Sequence, residues 1–394
     1  MHRKLTTAVA CVTAATLISA SLPVTALAAS LRATTESSSF DSNYFTSSEQ
    51  VNVTTSGTSL TVKYRSALKG VKYRVGLRNV GTSARWYAKG DFTASNKGFT
   101  VKLNTAKQSN GTYYLVIARA ANASQAQGWS YIGGAHGYAF IGVPIKITSG
   151  KPKVVKYSTI MSQNKAKRAA SAKKGTSRYK STSAKALSDI SWVFNGYDAY
   201  LPSESERRSY FKAVSKSVVG KTTNPYMKMR KIYTYCAGNF YYDTLAFQNH
   251  SRQHINPYTN LKKYRRNLSS SNSQATSGKR AKVATTCIGY ASMLIALARA
   301  QGIPAKLVYG HALTSPWNTW STESNIDKRD HFWAEVYLDG RWMIMDPTRG
   351  TNAKWNRSSN TWEKKAAGKL LTYNYFDPTL TFFSNTHRIF GYDS

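Results

Sequence analysis

Three residues in the C-terminal half of the chain are of types that together perform nucleophilic chemistry on amides. Cys287 offers a thiol, His331 an imidazole that can carry a proton, and Asp346 a carboxylate that can orient the imidazole. A thiolate attacks a carbonyl carbon while a neighbouring imidazole takes up and returns the proton. Any one of these residues alone is more often structural, so the hypothesis depends on the elements that position all three.

Cys287 lies where a loop is predicted to meet a helix. Gly302 and Pro304 end a helical pattern of apolar residues that follows the cysteine. The pattern consists of Tyr290, Met293, Leu294, Leu297 and Ala298. A thiol in the first turn of a helix lies at the positive end of the helix dipole, which favours the reactive thiolate.

A β-hairpin is predicted around Asp339-Gly340, a strong signal for a two-residue turn. Counting outward from this turn places His331 opposite Thr348, and puts His331 and Asp346 on one face as diagonal neighbours. Diagonal neighbours are about 7–8 Å apart at the backbone, which lets a carboxylate reach a ring nitrogen. The carboxylate would then fix the tautomer of His331 and favour its charged form.

Outside the predicted signal peptide, the other cysteine and the other histidines are weaker candidates. Cys236 shares the apolar face of a helix predicted to begin at Pro225, so we expect an ordinary core thiol. No other histidine has a carboxylate placed by a comparable turn. These histidines are His136, His250, His254, His311 and His387.

The motifs around these residues resemble a known family. They are Thr286-Cys287-Ile288-Gly289-Tyr290, Gly302-Ile303-Pro304-Ala305, His331-Phe332-Trp333-Ala334-Glu335-Val336, Asp339-Gly340-Arg341-Trp342 and Asp346-Pro347-Thr348. Together with Ile232-Tyr233-Thr234-Tyr235 and Asn239-Phe240-Tyr241-Tyr242 upstream, they are similar to the bacterial transglutaminase-like domain of the transglutaminase and papain-like cysteine protease superfamily.

The resemblance implies a fold, a reaction and roles for three residues. It implies a papain-like α+β fold with Cys287 as nucleophile, His331 as base and Asp346 as the residue that orients the base. It also implies acyl transfer on peptide or glutamine-type amides through a thioester. No metal-ligand cluster is visible in the sequence, so we expect no cofactor or metal. Ile288 and Arg349 depart from the family pattern next to the nucleophile and after Asp-Pro-Thr, which puts the substrate pocket in question.

The rest of the chain divides by composition, and the predicted fold class is α+β with a small all-β, sandwich-like domain before the catalytic domain. The segments are a signal peptide (1–28), a flexible leader (29–50), a β-sandwich-like domain (51–148), a basic linker (149–185) and the transglutaminase-like domain (186–394). The signal is predicted from a basic start, a short apolar run and small residues before the cleavage point. The linker is predicted because Lys and Arg are frequent in it and acidic residues are absent.

The net charge of +37 favours anionic partners. With a signal peptide, we expect a secreted or cell-wall-associated protein that meets an anionic cell-wall polymer or membrane surface rather than nucleic acid. Hydrolysis of a peptide or protein substrate is slightly favoured over amine cross-linking. The alternative is a non-catalytic envelope-binding protein that uses the same fold as a scaffold. The sequence does not determine an oligomeric state.

Overall fold

A computed structural model describes most of the chain after residue 50. The described residues are 51–65, 67, 69–70, 72–78, 86–95, 98–119, 142–172, 176–180, 201–243, 256–262, 284–313, 319–351, 353–356, 361–364 and 373–392. The predicted signal peptide and leader lie outside them. Within the described ranges, no helix combines the length and apolar character that crossing a membrane requires.

The N-terminal unit consists of two antiparallel sheets that share one core. One sheet has the order β1-β2-β5 and the other β4-β3-β6-β7-β8. The strands are β1 (Val51–Ser56), β2 (Ser59–Tyr64), β3 (Lys72–Arg78), β4 (Tyr87–Thr93), β5 (Phe99–Asn104), β6 (Gly111–Arg119), β7 (Val143–Thr148) and β8 (Lys151–Val154). Alternate residues such as Leu60, Val62, Leu115 and Ile117 are buried between the sheets. The predicted sandwich-like domain is therefore confirmed.

The basic segment that follows is not a linker where the structure describes it. Residues 151–154 form β8 on the second sheet, and a helix, α1 (Ser158–Ala172), packs against the C-terminal unit. The face of α1 that packs carries Ile160, Asn164 and Ser171, which are buried, while the lysines point outward. The linker prediction was wrong because only one of the three buried residues, Ile160, is apolar, so the sequence lacks the apolar pattern of a packed helix. The polar ones are buried only because another part of the chain satisfies their hydrogen bonds.

The C-terminal unit contains three main helices and an antiparallel sheet of order β13-β12-β11-β16. The helices are α2 (Glu204–Val219), α3 (Pro225–Asn239) and α4 (Cys287–Ala300), and the sheet strands are β11 (Ala305–Ala312), β12 (His331–Leu338), β13 (Arg341–Met345) and β16 (His387–Tyr392). Shorter elements are β9 (Tyr241–Tyr242), β10 (Ala284–Thr285), α5 (Pro347–Gly350), β14 (Ala353–Asn356), β15 (Thr361–Lys364) and α6 (Leu380–Ser384). The predicted α+β class is confirmed.

The helix starts follow local capping rules. The Ser203 side chain accepts a hydrogen bond from the backbone N–H of Glu206 and begins α2, which ends at Gly220 with a positive φ of 60°. The Asn224 side chain caps α3, and Pro225 occupies its first turn. The start at Pro225 agrees with the sequence prediction.

The central helix α4 is buried along nearly its whole length. It packs on β12 through Ala334 and Val336 and is flanked by α2 and α3. The opposite face of the sheet carries Trp333 and Ile344, which pack with Tyr114 from β6 of the sandwich unit. The sheet is therefore covered on both faces, and this burial holds the ends of α4 and β12 in fixed positions.

Candidate functional site

Cys287 is the first residue of α4, as the sequence predicts. Thr286 precedes the helix in an extended conformation, and the thiol is nearly buried at the helix start. Its Sγ lies 3.9 Å from the carbonyl oxygen of Asp330. The first-turn N–H groups of a helix have no intrahelical partner, so this position favours an anion such as a thiolate.

Cys236 is in a different environment. It is fully buried on α3 among apolar side chains, and burial raises the pKa of its thiol. Both Cys236 and Cys287 are free thiols. The prediction that Cys236 is an ordinary core thiol is confirmed.

The hairpin register is confirmed from the turn as far as Ala334 opposite Met345. Asp339 and Gly340 both have positive φ, 49° and 74°, as a two-residue turn of this type requires. The ladder does not continue to the predicted pairing of His331 with Thr348. Asp346 caps the short helix α5 instead, and Pro347 has no N–H to continue a ladder.

The end of the ladder still brings His331 and Asp346 into contact. His331 Nε2 lies 2.7 Å from Asp346 Oδ2, and both side chains are buried. The other carboxylate oxygen accepts hydrogen bonds from the backbone N–H groups of Thr348 (3.0 Å) and Arg349 (3.2 Å). The carboxylate is thus held at both oxygens, and its orientation toward the ring is fixed.

The sulfur of Cys287 also interacts with the His331 ring and raises its pKa. Since Nε2 faces Asp346, the nitrogen left to face the sulfur is Nδ1. Burial by itself lowers the pKa of His331, but the charge and hydrogen bond of Asp346, together with those of Cys287, outweigh burial and raise the pKa to about 9. A protonated imidazole therefore lies between a sulfur and a carboxylate.

The charge on Asp346 is maintained by its neighbours. Burial alone would raise the pKa of this carboxyl, yet the charge of His331 and the hydrogen bonds from His331 and His387 hold it well below its ordinary value of 3.8. The carboxylate and the His331 imidazolium stabilise each other, because each is buried and each is the opposite charge nearest to the other.

His387 contacts this cluster, although the sequence prediction set it aside. Its Nε2 lies 3.2 Å from Asp346 Oδ2, the same oxygen that contacts His331. His387 is 41 positions beyond Asp346 in sequence and lies on β16, which pairs with β11 and not with β12. No local pattern indicates this contact, because it depends on the order of strands in the sheet.

The other histidines fall into two groups. His311 Nδ1 lies 2.7 Å from Asp330 Oδ1, so it also has a carboxylate partner that the hairpin argument did not supply. His136, His250 and His254 lie outside the described residues.

The cluster of His331, Asp346 and His387 is also close enough to be considered for a metal. One ligand atom from each lies within 4.8 Å of the others. However, the two imidazole Nε2 atoms already form hydrogen bonds with one carboxylate oxygen. The three side chains therefore satisfy one another, and a metal would need both rings to give up those bonds.

Comparison with known proteins agrees with this geometry. Residues 212–347 match a family model described as Transglutaminase-like superfamily. This part of the chain is a transglutaminase-like domain. The match covers α3, α4 and the β12–β13 hairpin, and so includes Cys287, His331 and Asp346.

Two curated relatives align with part of the chain. Kyphoscoliosis peptidase of Homo sapiens and that of Mus musculus are each 27% identical over 124 residues. The alignment covers 32% of this chain and 16% of either relative, so most of each relative's length has no counterpart here.

Three solved structures also align with the chain. A proposed cysteine protease from Cytophaga hutchinsonii is 14% identical, with 84% of each chain covered and a TM-score of 0.26. A TGase is 21% identical over 40% of this chain and 36% of its own, with a TM-score of 0.23. A proposed protease from Parabacteroides distasonis is 10% identical over 69% of this chain and 37% of its own, with a TM-score of 0.24.

Tyr242 lies near the sulfur of Cys287, and Arg349 lies near Tyr242. Burial raises the pKa of the Tyr242 hydroxyl far above its ordinary value, and the neighbouring charge of Cys287 raises it further. Tyr242 is thus a neutral O–H near the thiol. Arg349 donates a hydrogen bond to the carbonyl of Leu313, and its charge also reaches Tyr242. Ile288, the other departure from the family pattern, packs in the apolar core.

Proposed function

We propose that this protein is a cysteine-dependent acyl-transfer enzyme acting on peptide or glutamine-type amides. The observation that carries the proposal is the His331 ring, which interacts with the Cys287 sulfur and contacts the Asp346 carboxylate through Nε2 at 2.7 Å. The base thus lies between a nucleophile and a residue that orients the base, which is the arrangement that nucleophilic catalysis requires.

In the first half of the reaction, the Cys287 thiolate attacks the carbonyl carbon of the amide and forms a C–S bond. The C–N bond then breaks as protonated His331 delivers its proton to the leaving amine, giving a thioester. Asp346 keeps Nδ1 of His331 directed at the sulfur and the amine. In the second half, His331 takes a proton from water or an incoming amine, which attacks the thioester and breaks the C–S bond.

The oxyanion formed in each half needs hydrogen-bond donors. The backbone N–H of Cys287 lies in the first turn of α4, where it has no intrahelical partner. We propose the Tyr242 hydroxyl as a second donor, because it is half-buried, neutral and near the sulfur. In the sequence, Tyr242 falls in a family-like motif, but no role was predicted for it, since it lies far before the nucleophile in the chain.

We propose hydrolysis as the main outcome, with water as the second nucleophile. The curated relatives are named as peptidases, which supports this choice over cross-linking. Fluorescently labelled casein tests both outcomes in one reaction. Hydrolysis releases small labelled peptides, while transfer to an added dansylated alkylamine adds the separate dansyl emission to the protein. Amine incorporation at a rate exceeding peptide release would contradict the preference for hydrolysis.

The test of the nucleophile compares two cysteine variants. Cys287→Ala is expected to abolish turnover and leave the fold intact, whereas Cys236→Ala is expected to remain active because its thiol is buried in the core. Circular dichroism and thermal melting establish that both variants fold. Full activity of Cys287→Ala would overturn the assignment. A wild-type protein that turns over neither casein nor amine would favour the scaffold alternative.

We further propose that the protein is exported and associates with an anionic cell-wall polymer or membrane surface. The pattern of residues 1–28 and the net charge of +37 support this. Because α1 is part of the fold, deleting the basic segment would disrupt packing, and charge reversal is the better test. Lys165 and Lys167 are exposed on α1, so changing both to Glu should reduce retention on anionic vesicles or wall fragments at low salt. Equal retention would contradict a role for α1 in binding.

A further inference from the structure

The two oxygens of the Asp346 carboxylate have different kinds of hydrogen-bond partners. Oδ1 accepts two backbone N–H groups and holds the carboxylate on α5. Oδ2 contacts two imidazole nitrogens, His331 at 2.7 Å and His387 at 3.2 Å. The proposed function uses the first imidazole and leaves the second without a role.

His387 is packed in the core against two aromatic side chains. Its side chain is fully buried, and its ring stacks on Phe383 with centroids 4.3 Å apart and planes 16° apart. The edge-on ring of Trp333 lies 5.4 Å away. The ring of His387 therefore has one orientation, with Nε2 directed at the carboxylate.

The backbone around His387 is held by α1. The buried side-chain amide of Asn164 donates to the carbonyl of His387 at 2.9 Å and accepts from the N–H of Ile389 at 2.7 Å. It also donates to the Ser384 hydroxyl at 3.0 Å. The helix expected to be a linker thus fixes the strand that carries this histidine.

The proton positions on His387 follow from its partners. Burial lowers its pKa to about 3, only partly offset by Asp346, so the ring is neutral near neutral pH. A neutral imidazole has a single N–H, and an ionised carboxylate only accepts hydrogen bonds. Nε2 therefore carries the proton, and Nδ1 accepts from the Thr386 hydroxyl at 2.8 Å.

We propose that His387 is a positioning residue that holds Asp346 Oδ2 and shares its negative charge with His331. This inference rests on the proposed function of His331 as the proton carrier. A second donor on Oδ2 withdraws charge from the contact with His331 and limits how tightly the imidazolium is held. Without it, His331 would be more basic and would release its proton to the leaving amine less readily.

Two substitutions at this position separate the hydrogen bond from packing. His387→Phe retains an aromatic ring for the stack on Phe383 and removes the N–H donor. His387→Gln retains a donor at about the reach of Nε2. We expect His387→Phe to lower kcat on labelled casein by about 10- to 100-fold, the range seen when an outer hydrogen-bond partner is removed. KM should not change, because His387 does not touch substrate.

The decisive measurement is an NMR titration of ¹⁵N-labelled histidines, assigned with the His387 and His331 variants. In the wild type, His387 should be a neutral Nε2–H tautomer at pH 6, and His331 should titrate near 9. In His387→Phe the pKa of His331 should rise, and His387→Gln should restore both this pKa and kcat. The charged groups facing His331 are Asp346 and Cys287, and the variants leave both in place.

Each other outcome counts against the proposal. A lower kcat with an unchanged His331 pKa would make His387 merely structural, and wild-type kinetics for His387→Phe would give it no role. If His387→Phe does not fold, the wild-type tautomer still decides, since a charged ring or an Nδ1–H form at pH 6 contradicts the proposal. The tautomer is measured without turnover. A failure of this inference is therefore distinguishable from a failure of the proposed function, which an active Cys287→Ala would show.

Discussion

Replacing Asp346 with Asn tests how His331 is charged. In the native protein, Oδ1 of Asp346 accepts two backbone N–H groups. The amide oxygen of Asn must occupy this place, so its NH₂ faces the imidazoles where Oδ2 lies now. His331 Nε2 then has to accept a hydrogen bond, and the proton is forced to Nδ1 as a neutral ring. The change preserves the shape of the side chain and reverses the direction of the hydrogen bond.

The size of the effect follows from the pKa of His331. The difference between about 9 and the ordinary 6.5 corresponds to about 3.4 kcal/mol in favour of the imidazolium. With Asn in place, burial is no longer offset by the carboxylate, so the pKa should fall to 6.5 or lower. At pH 7.5 at most about 10% of the rings would be protonated. Activity at this pH should therefore fall at least about tenfold from protonation alone.

The assay measures the rate at which iodoacetamide alkylates Cys287 as a function of pH, in a Cys236→Ala background. The imidazolium stabilises the thiolate, so the wild type should react readily well below the pH at which an ordinary thiol does. Asp346→Asn should shift this reactivity to higher pH, and labelled casein turnover at pH 7.5 should fall with it. NMR of His331 reports the pKa directly.

Asp330→Asn is the matched control. Asp330 is the residue before His331, but its carboxylate contacts His311 and Lys328 and does not contact the His331 ring. The same change of carboxylate to amide should leave the His331 pKa near 9. A titration of His331 near 9 in Asp346→Asn would refute the reasoning, as would an equal fall in both variants.

Three other perturbations test the packing that supports the site. His387 is buried as a neutral ring. It takes up a proton below about pH 6.5 in the unfolded state, but only below about pH 3 in the folded state. The free energy of unfolding therefore decreases as the pH falls from about 6.5 to about 3. Between pH 7 and 4.5, the free energy of unfolding of His387→Phe should decrease by about 2.5 kcal/mol less than that of the wild type, as measured with denaturant. An equal decrease in both proteins would contradict a neutral His387. Glu335→Gln leaves the buried Lys306 charge without its 3.3 Å partner, and should destabilise by about 3–5 kcal/mol in denaturant unfolding; a change below about 1 kcal/mol would contradict it. Gly310→Ala would place a methyl group against the carbonyl of Arg388, which should lower the melting temperature and the casein turnover. Wild-type values for both would show that β16 can shift to accommodate the methyl group.

The Lys306–Glu335 pair links β11 to β12, the strand that begins with His331. Both side chains are fully buried, and Lys306 also lies over the rings of Trp342 (3.9 Å) and Tyr392 (4.3 Å). The pair holds β11 and β12 together on the sheet face opposite α4. Arg168 of α1 adds a second contact to Glu335 at 3.0 Å, which ties the helix to the hairpin strand.

The parts of the fold that could be predicted are those whose causes are local. The start of α4 at Cys287, the caps at Ser203 and Asn224, and the register of the hairpin all depend on residues within a few positions of one another. Asp339-Gly340 sets the register because only residues tolerant of positive φ form this turn. A short-range cause leaves a short-range pattern in the sequence.

The prediction of the hairpin was right about the contact and wrong about how it forms. His331 and Asp346 do meet, but the ladder stops before them and Asp346 caps α5. Pro347 indicates that the ladder ends before it, because proline has no N–H for the ladder and favours the first turn of a helix. The sequence alone therefore determined the nucleophile's helix and the two partners that the hairpin brings near it.

Tertiary structure decided the rest. Asn164 is buried in a basic helix because β16 supplies two of its hydrogen-bond partners and Ser384 the third. His387 reaches Asp346 because β16 lies beside β11. Neither partner is near in sequence: His387 is 41 positions from Asp346 and 223 from Asn164. A polar side chain is stable in a core only when distant parts of the chain satisfy it, and that condition leaves no periodic signal along the sequence.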